Sequence, residues 1–163
     1  MIALALGVGL WLGLEKKKDE GGDSGGVSET VRWVAAGNDG DTGGNGTLMY
    51  STDGICWQVS TGEYFIIGNG TAYGKSSSVN PLWVATGDSG AGGGNSTLMY
   101  STDGICWQIS TGESFSGVGE GVAYGKSSNG TSPLWVALGY NGAGIGSTTR
   151  NLMYSTDGKN WQI

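Results

Sequence analysis

The chain of 163 residues contains no histidine. That removes the commonest general base, the usual imidazole metal ligand and any Ser-His or Cys-His dyad. Basic residues are few, 8 Lys and Arg against 14 Asp and Glu, for a net charge of −6. With no basic stripe to neutralise phosphates, nucleic acid is not an expected partner. A weakly acidic surface mostly keeps a chain soluble. Proline is nearly missing, with 2 residues, while glycine reaches 34. Such glycine content without a Gly-X-Y period excludes collagen and leaves either disorder or a loop-rich β protein. The 7 Trp and 7 Tyr decide for the folded alternative, because disordered chains are poor in aromatics. The length suits one domain with a real core.

Only two cysteines occur, Cys56 and Cys106, at the same position of consecutive repeats. Equivalent sites on neighbouring sheets point the same way and stand farther apart than a disulfide usually spans. Both are therefore expected to be free, half-buried thiols. One long apolar run is present, at residues 1–14. As a helix it would reach about 21 Å, short of the roughly 30 Å hydrocarbon core. It reads as a signal-like or anchor-like segment with membrane contact, although no basic residue precedes it and no small-x-small cleavage site follows. Lys16, Lys17 and Lys18 on its carboxyl side would hold the remainder in the cytoplasm, against the extracellular look of the repeats. The bland alternative is an apolar strand or helix tucked into a partner. Residues 15–30, charged at first and then rich in Gly, Ser and acid, form a flexible linker.

Self-similarity governs residues 31–163. Trp33, Trp83 and Trp135 each open a Trp-Val-Ala-x-Gly string, and Tyr50, Tyr100 and Tyr154 each open Tyr-Ser-Thr-Asp-Gly. Residues 47–58 are identical to 97–108. In the middle unit, four strands are expected at 70–74, 82–86, 98–101 and 106–110. The run Leu82-Trp83-Val84-Ala85 is apolar on both alternating faces, as in a strand covered on both sides. Thr102-Asp103-Gly104 signals a tight hairpin. The Asp carboxylate accepts backbone N–H groups, Gly supplies a positive φ, and Ser adds a local hydrogen bond. Trp107 is then expected to fold over the hairpin and fill the gap to the next sheet. The fold class that follows is all-β, with three tandem four-stranded antiparallel units of β-propeller type.

The strings Ser51-Thr52-Asp53-Gly54-x-x-Trp57, Ser101-Thr102-Asp103-Gly104-x-x-Trp107 and Ser155-Thr156-Asp157-Gly158-x-x-Trp161 resemble the Asp-box of sialidase-type (BNR) propellers. The usual pattern, Ser-x-Asp-x-Gly-x-x-Trp, has one more residue between Asp and Gly. Paired with Trp-Val-Ala-x-Gly, the strings are also similar to propeller-like repeats of large-virus and bacterial surface proteins. The resemblance implies that each box joins the third and fourth strands of a blade, with blades at about 31–60, 68–110 and 119–163. The first blade has no convincing inner strand. Three blades do not close a ring, since propellers typically need 4–8. A fragment of a longer protein, a ring of several copies and an open array of covered edges all remain in play.

The family's box is a folding device, so the resemblance implies structure before activity. A sialidase needs an arginine cluster and a Tyr-Glu nucleophile pair, yet only Arg32 and Arg150 exist. Glu63, Glu113 and Glu120 read as solvated loop acids, and a fragment of a sialidase-like glycosidase is the remote alternative. Asp53, Asp103 and Asp157 read as turn caps and not as calcium ligands, because calcium takes six to eight oxygens. No metal and no cofactor is expected. Trp33, Trp83 and Trp135, with Tyr73 and Tyr124, are candidate sugar-stacking residues of an oligomeric lectin, against their plainer reading as core. Four sequons, at Asn45, Asn69, Asn95 and Asn129, are candidate glycosylation sites. The Gly-rich loops at 38–46, 88–95 and 140–149 are the expected contact surfaces. The expectation is a non-catalytic structural or interaction module, extracellular, cell-surface or virion-associated, whose partner is a second copy, another protein or a glycan.

Overall fold

The computed structural model describes residues 32–38, 45–74, 81–90, 96–126, 133–141 and 150–163. The apolar segment and the linker, residues 1–30, lie outside the described residues, as do most of the three Gly-rich loops.

The described chain is all-β, with a 3-10 turn at Asn45–Thr47 and no α-helix among the described residues. The thirteen strands of the described residues fall into three like units and two short crossings between them. Unit 1 is an antiparallel meander of β1 (Trp33–Ala36), β2 (Leu48–Ser51) and β3 (Gln58–Val59). Unit 2 has four strands in the same sense, β5 (Ile67–Gly74), β6 (Leu82–Asp88), β7 (Leu98–Ser101) and β8 (Cys106–Ile109). Unit 3 repeats them as β10 (Val118–Lys126), β11 (Pro133–Tyr140), β12 (Arg150–Ser155) and β13 (Asn160–Trp161). A bridge between Tyr154 and Gln162 joins β13 to β12. The expected strands of the middle unit are all observed, with β5 starting earlier at Ile67 and carrying a bulge between Gly68 and Gly70. In unit 1, β1 pairs with β2 alone among the described residues. The described strands form open sheets without closing into a barrel.

Strand alternation gives each unit two apolar faces. Register fixes which residues share a face: Trp83 lies opposite Ser101 and Ala85 opposite Met99, while Val84 lies opposite Tyr100 and Thr86 opposite Leu98. The same pairs recur in units 1 and 3. One side is therefore a tryptophan face and the other a valine face. Where two units meet, they bury these faces against one another. The valine face of unit 1, through Val34 and Leu48, packs on Trp83, Ala85, Met99 and Trp107 of unit 2. The valine face of unit 2, through Leu82, Val84 and Leu98, packs on Trp135, Ala137, Met153 and Trp161 of unit 3. Phe65 and Phe115, from the connections between units, complete the two clusters. Each fully buried large apolar side chain contributes about 1.5–3 kcal/mol, so these seams carry most of the hydrophobic stabilisation. Trp107 thus packs against the preceding sheet rather than the next one, because the box of each unit lies on its tryptophan face.

Two short strands were not legible in the pattern, β4 (Thr61–Gly62) and β9 (Thr111–Gly112). Both belong to the string Ser-Thr-Gly-Glu that follows a unit's last strand. Each crosses to the following unit and pairs parallel with its outermost strand, Thr61 beside Cys106 and Thr111 beside Asn160. The N–H groups of Thr61 and Glu63 donate to the carbonyls of Ile105 (2.8 Å) and Trp107 (3.1 Å). Those of Thr111 and Glu113 donate to Lys159 (2.8 Å) and Trp161 (3.0 Å). Gly112 is required here: its φ is +81°, and a Cβ would lie 2.4 Å from the Trp161 carbonyl oxygen.

Gly112→Ala therefore combines left-handed strain of about 1–2 kcal/mol with a backbone clash. It is expected to lower the denaturant midpoint clearly. Gly121→Ala, where a Cβ meets nothing within 4 Å, is expected to leave it nearly unchanged. Equal effects of the two substitutions would contradict the inter-unit pairing.

Candidate functional site

The sequence motif that most resembles an active constellation is the Ser-Thr-Asp-Gly hairpin, and its geometry is the same three times. In unit 1 the Ser51 hydroxyl donates to Asp53 Oδ1 (2.8 Å) and accepts from the N–H groups of Asp53 (3.3 Å) and Gly54 (2.9 Å). Asp53 Oδ1 also accepts from Ile55 N–H (2.7 Å) and Cys56 N–H (2.8 Å). Ser101 and Asp103 make the same set with Gly104, Ile105 and Cys106. Ser155 and Asp157 do so with Gly158, Lys159 and Asn160, and Asn160 Nδ2 adds a bond to Asp157 Oδ2 (2.6 Å). A hydroxyl has one donor and two acceptor lone pairs. All are engaged, so the serine is not poised as a nucleophile.

The glycine of each box has φ of +72° to +75°. A side chain there would press on a tryptophan, Trp33 for Gly54, Trp83 for Gly104 and Trp135 for Gly158. The indole over the hairpin is therefore the one from the Trp-Val-Ala string of the same unit. Trp107 and Trp161, each 1% exposed, instead fill the seam.

The clasp also sets the charge of its carboxylates. The amide of Cys56, then that of Ile55 and the Ser51 hydroxyl, hold Asp53 down to about 2. At Asp157, burial pushes upward, but the amides of Asn160 and Lys159 with the Asn160 and Ser155 side chains outweigh it and leave the carboxyl at about 2. Burial also opposes ionisation at Asp103, and the Cys106 and Ile105 amides, Ser101 and the Arg32 charge bring it below the ordinary carboxylate value. Such carboxylates are weak bases at neutral pH. Their Oδ1 atoms, each gathering backbone N–H groups of the turn, resemble an N-cap more than a metal ligand. Among the described residues no group of three acids or thiols stands close enough to hold a metal ion.

The other candidate residues are dispersed. Trp83 (6% exposed) and Trp135 (1%) lie in the core, where their faces are closed to a sugar. Trp33 is half-buried, Tyr73 is 36% exposed and Tyr124 is half-buried. Tyr73 packs on Trp83 and Tyr124 on Trp135, with ring centroids 4.7 Å apart in both pairs. Glu63 and Glu113 are exposed, each beside a backbone bond of the inter-unit pairing, and Glu120 is half-buried in β10. Arg32 donates from Nη1 to the Asp103 carbonyl (2.7 Å). Cys56 and Cys106 are free thiols, and both are exposed rather than half-buried. The reason is alternation: the following Trp points into the molecule, so the Cys points out.

Of the sequons, Asn95 and Asn129 lie outside the described residues, and Asn45 sits in the 3-10 turn. Asn69 occupies the bulge of β5, its Nδ2 donates to the Gly119 carbonyl (2.9 Å), and Thr71 is buried. Glycosylation of Asn69 would require breaking that bond, so the folded chain does not present this sequon.

The residues that sequence reasoning missed are the Thr and Phe residues of the seam, Thr47, Phe65, Thr97 and Phe115. Buried Thr47 and Thr97 donate from Oγ1 to the carbonyls of Phe65 (2.9 Å) and Phe115 (3.1 Å). Phe115 N–H returns a bond to Thr97 Oγ1 (3.0 Å). The repeated Ser-Thr-Gly-Glu string and the Phe two residues after its Glu were the available signal. Comparison with protein families, with curated proteins and with solved structures finds no match.

Because the folded carboxyls of Asp53 and Asp157 lie below the ordinary value of 3.8, their contribution is present above about pH 4. It is lost as pH falls from about 4 to about 2, and denaturant midpoints measured across that window are expected to drop. Asp157→Asn is expected to flatten part of the drop and to lower the midpoint at pH 7. A midpoint that stays level from pH 5 to pH 2 would contradict the clasp.

Proposed function

We propose that this chain is a non-catalytic structural and interaction module of a surface or virion-associated protein. In this reading its units are Asp-box blades of propeller type, and they present the Gly-rich loops to a partner. The observation that carries it is the engagement of the hairpin: every Ser and Asp of the three boxes is bound within its own turn, and Trp83, Trp107, Trp135 and Trp161 are packed into the seams. The chemically suggestive residues are thereby occupied in holding the fold. The connections β1–β2, β6–β7 and β11–β12 join equivalent strands, so the three variable loops leave equivalent ends of their units. Loops on a rigid scaffold can vary without cost to the core, which suits recognition.

A second reading, a carbohydrate-binding lectin, is favoured by one feature: the partly exposed Tyr73 ring packed at a tilt against Trp83, with Tyr124 and Trp135 repeating the pair. A glycan array and a fluorogenic sialoside assay test both readings on the purified full chain. The module reading expects no saturable glycan binding and no hydrolysis. Saturable binding abolished by Tyr73→Ala, with unchanged thermal stability, would replace it with the lectin reading. Turnover of the sialoside would replace it with a hydrolase.

A further inference from the structure

The seam between units has two halves, and among the described residues the matching half at unit 1 and at unit 3 is left exposed. On the tryptophan face, Trp107 and Trp161 are each 1% exposed, while the equivalent Trp57 of unit 1 is only half-buried. Met99 and Met153 are buried, while Met49 is half-buried, and Val59, opposite Met49, is 47% exposed. On the valine face the order is reversed. Leu48 (1%) and Leu98 (0%) are buried beneath the following unit, but the equivalent Leu152 of unit 3 is 62% exposed. Leu138, opposite Leu152, is 38% exposed, and Tyr154 is 41% exposed where Tyr50 and Tyr100 are half-buried.

The glycines agree. A Cβ at Gly74 of unit 2 would run into the Tyr124 ring of unit 3, at 2.3 Å, whereas at Gly125, its equivalent in unit 3, nothing lies within 4 Å. Five of the eight exposed large apolar residues among the described residues, Ile55, Val59, Leu138, Leu152 and Tyr154, belong to these two faces. Isolated exposed apolar residues are ordinary, but faces in register with a buried seam are not. The ends also match in detail. In the seam of units 2 and 3, Lys159 lies over the Tyr100 ring, 5.1 Å from its centroid. The residue equivalent to Lys159 in unit 1 is Ile55, 81% exposed, which would meet Tyr154 in the same place.

We propose that copies of this chain associate head to tail, the valine face of unit 3 receiving the tryptophan face of unit 1 of a second copy. This inference rests on the interaction-module reading and names its partner. The contact is heterologous, with a different patch on each side, so it builds a ring if the rotation per copy closes and an open chain if it does not. Two separate molecules meet there, without the covalent connection that ties consecutive units within the chain. Association is therefore weaker than the internal seams and depends on concentration.

Sedimentation velocity of the full chain across about a hundredfold concentration range tests this by mass action. The mass is expected to rise above the 16.6 kDa of one copy. Leu152→Glu and Val59→Glu change exposed positions, so each is expected to keep the wild-type melting temperature and to sediment as a single copy. Mixed, they retain one intact face each and are expected to form pairs and nothing larger. Wild type that stays a single copy throughout, variants that associate as wild type does, or a mixture that forms no pairs would each overturn the proposal. The glycan and sialoside assays are read on the same samples, so failure of the module reading shows separately, as binding or turnover by a single copy.

Discussion

Each sheet of this protein is apolar on both faces, and no unit buries either face alone. That constraint organises the rest of the fold. A three- or four-stranded meander is too thin to have an interior, so its core is the gap between it and its neighbour. Val34 and Leu48 acquire partners only when Trp83, Met99 and Trp107 arrive, and the same holds for Val84 and Leu98 with Trp135, Met153 and Trp161. Stability in such an array is a sum of unit and interface contributions. The connecting segments serve the same end: Phe65 and Phe115 plug the gap, and Ser-Thr-Gly-Glu hydrogen-bonds across it.

The Ser-Thr-Asp-Gly box supports the seam from one side. Its carboxylate and hydroxyl gather the backbone N–H groups of the hairpin, and its positive-φ glycine lets the hairpin lie against an indole. The hairpin tip also touches the preceding unit, Gly104 facing Val34 and Gly158 facing Leu82. A turn that looks local is thus part of the contact between units. This is why the Ser and Asp of each box, which suggest chemistry in the sequence, are engaged within their own turn in the structure.

The all-β class, the three units, the strands of the middle unit and the capping role of Asp53, Asp103 and Asp157 were legible in the sequence. Alternation, glycine punctuation and turn chemistry act over a few residues, and here local and global preferences agree. What could not be read was anything set by a neighbouring unit. Thr61-Gly62 and Thr111-Gly112 are too short to show a strand period, and their partners lie about fifty residues away. The direction in which Trp107 packs depends on which face of the sheet carries the box, and alternation alone does not tell one face from the other. The exposure of Cys56 and Cys106 follows from that same choice. Asn69 matched a sequon, yet its amide is held by Gly119 in the next unit, a contact that no local pattern encodes.

Crossings between units hold the described chain together, and amide hydrogen exchange is the measurement most sensitive to them. Thr61, Glu63, Thr111 and Glu113 are exposed residues whose N–H groups would exchange freely if the units only abutted. These four amides are expected to be protected to a degree approaching those of β6 and β7, since local opening is slow only where a cooperative contact must break. Exchange of the four at the rate of unstructured amides, with β6 and β7 still protected, would contradict it.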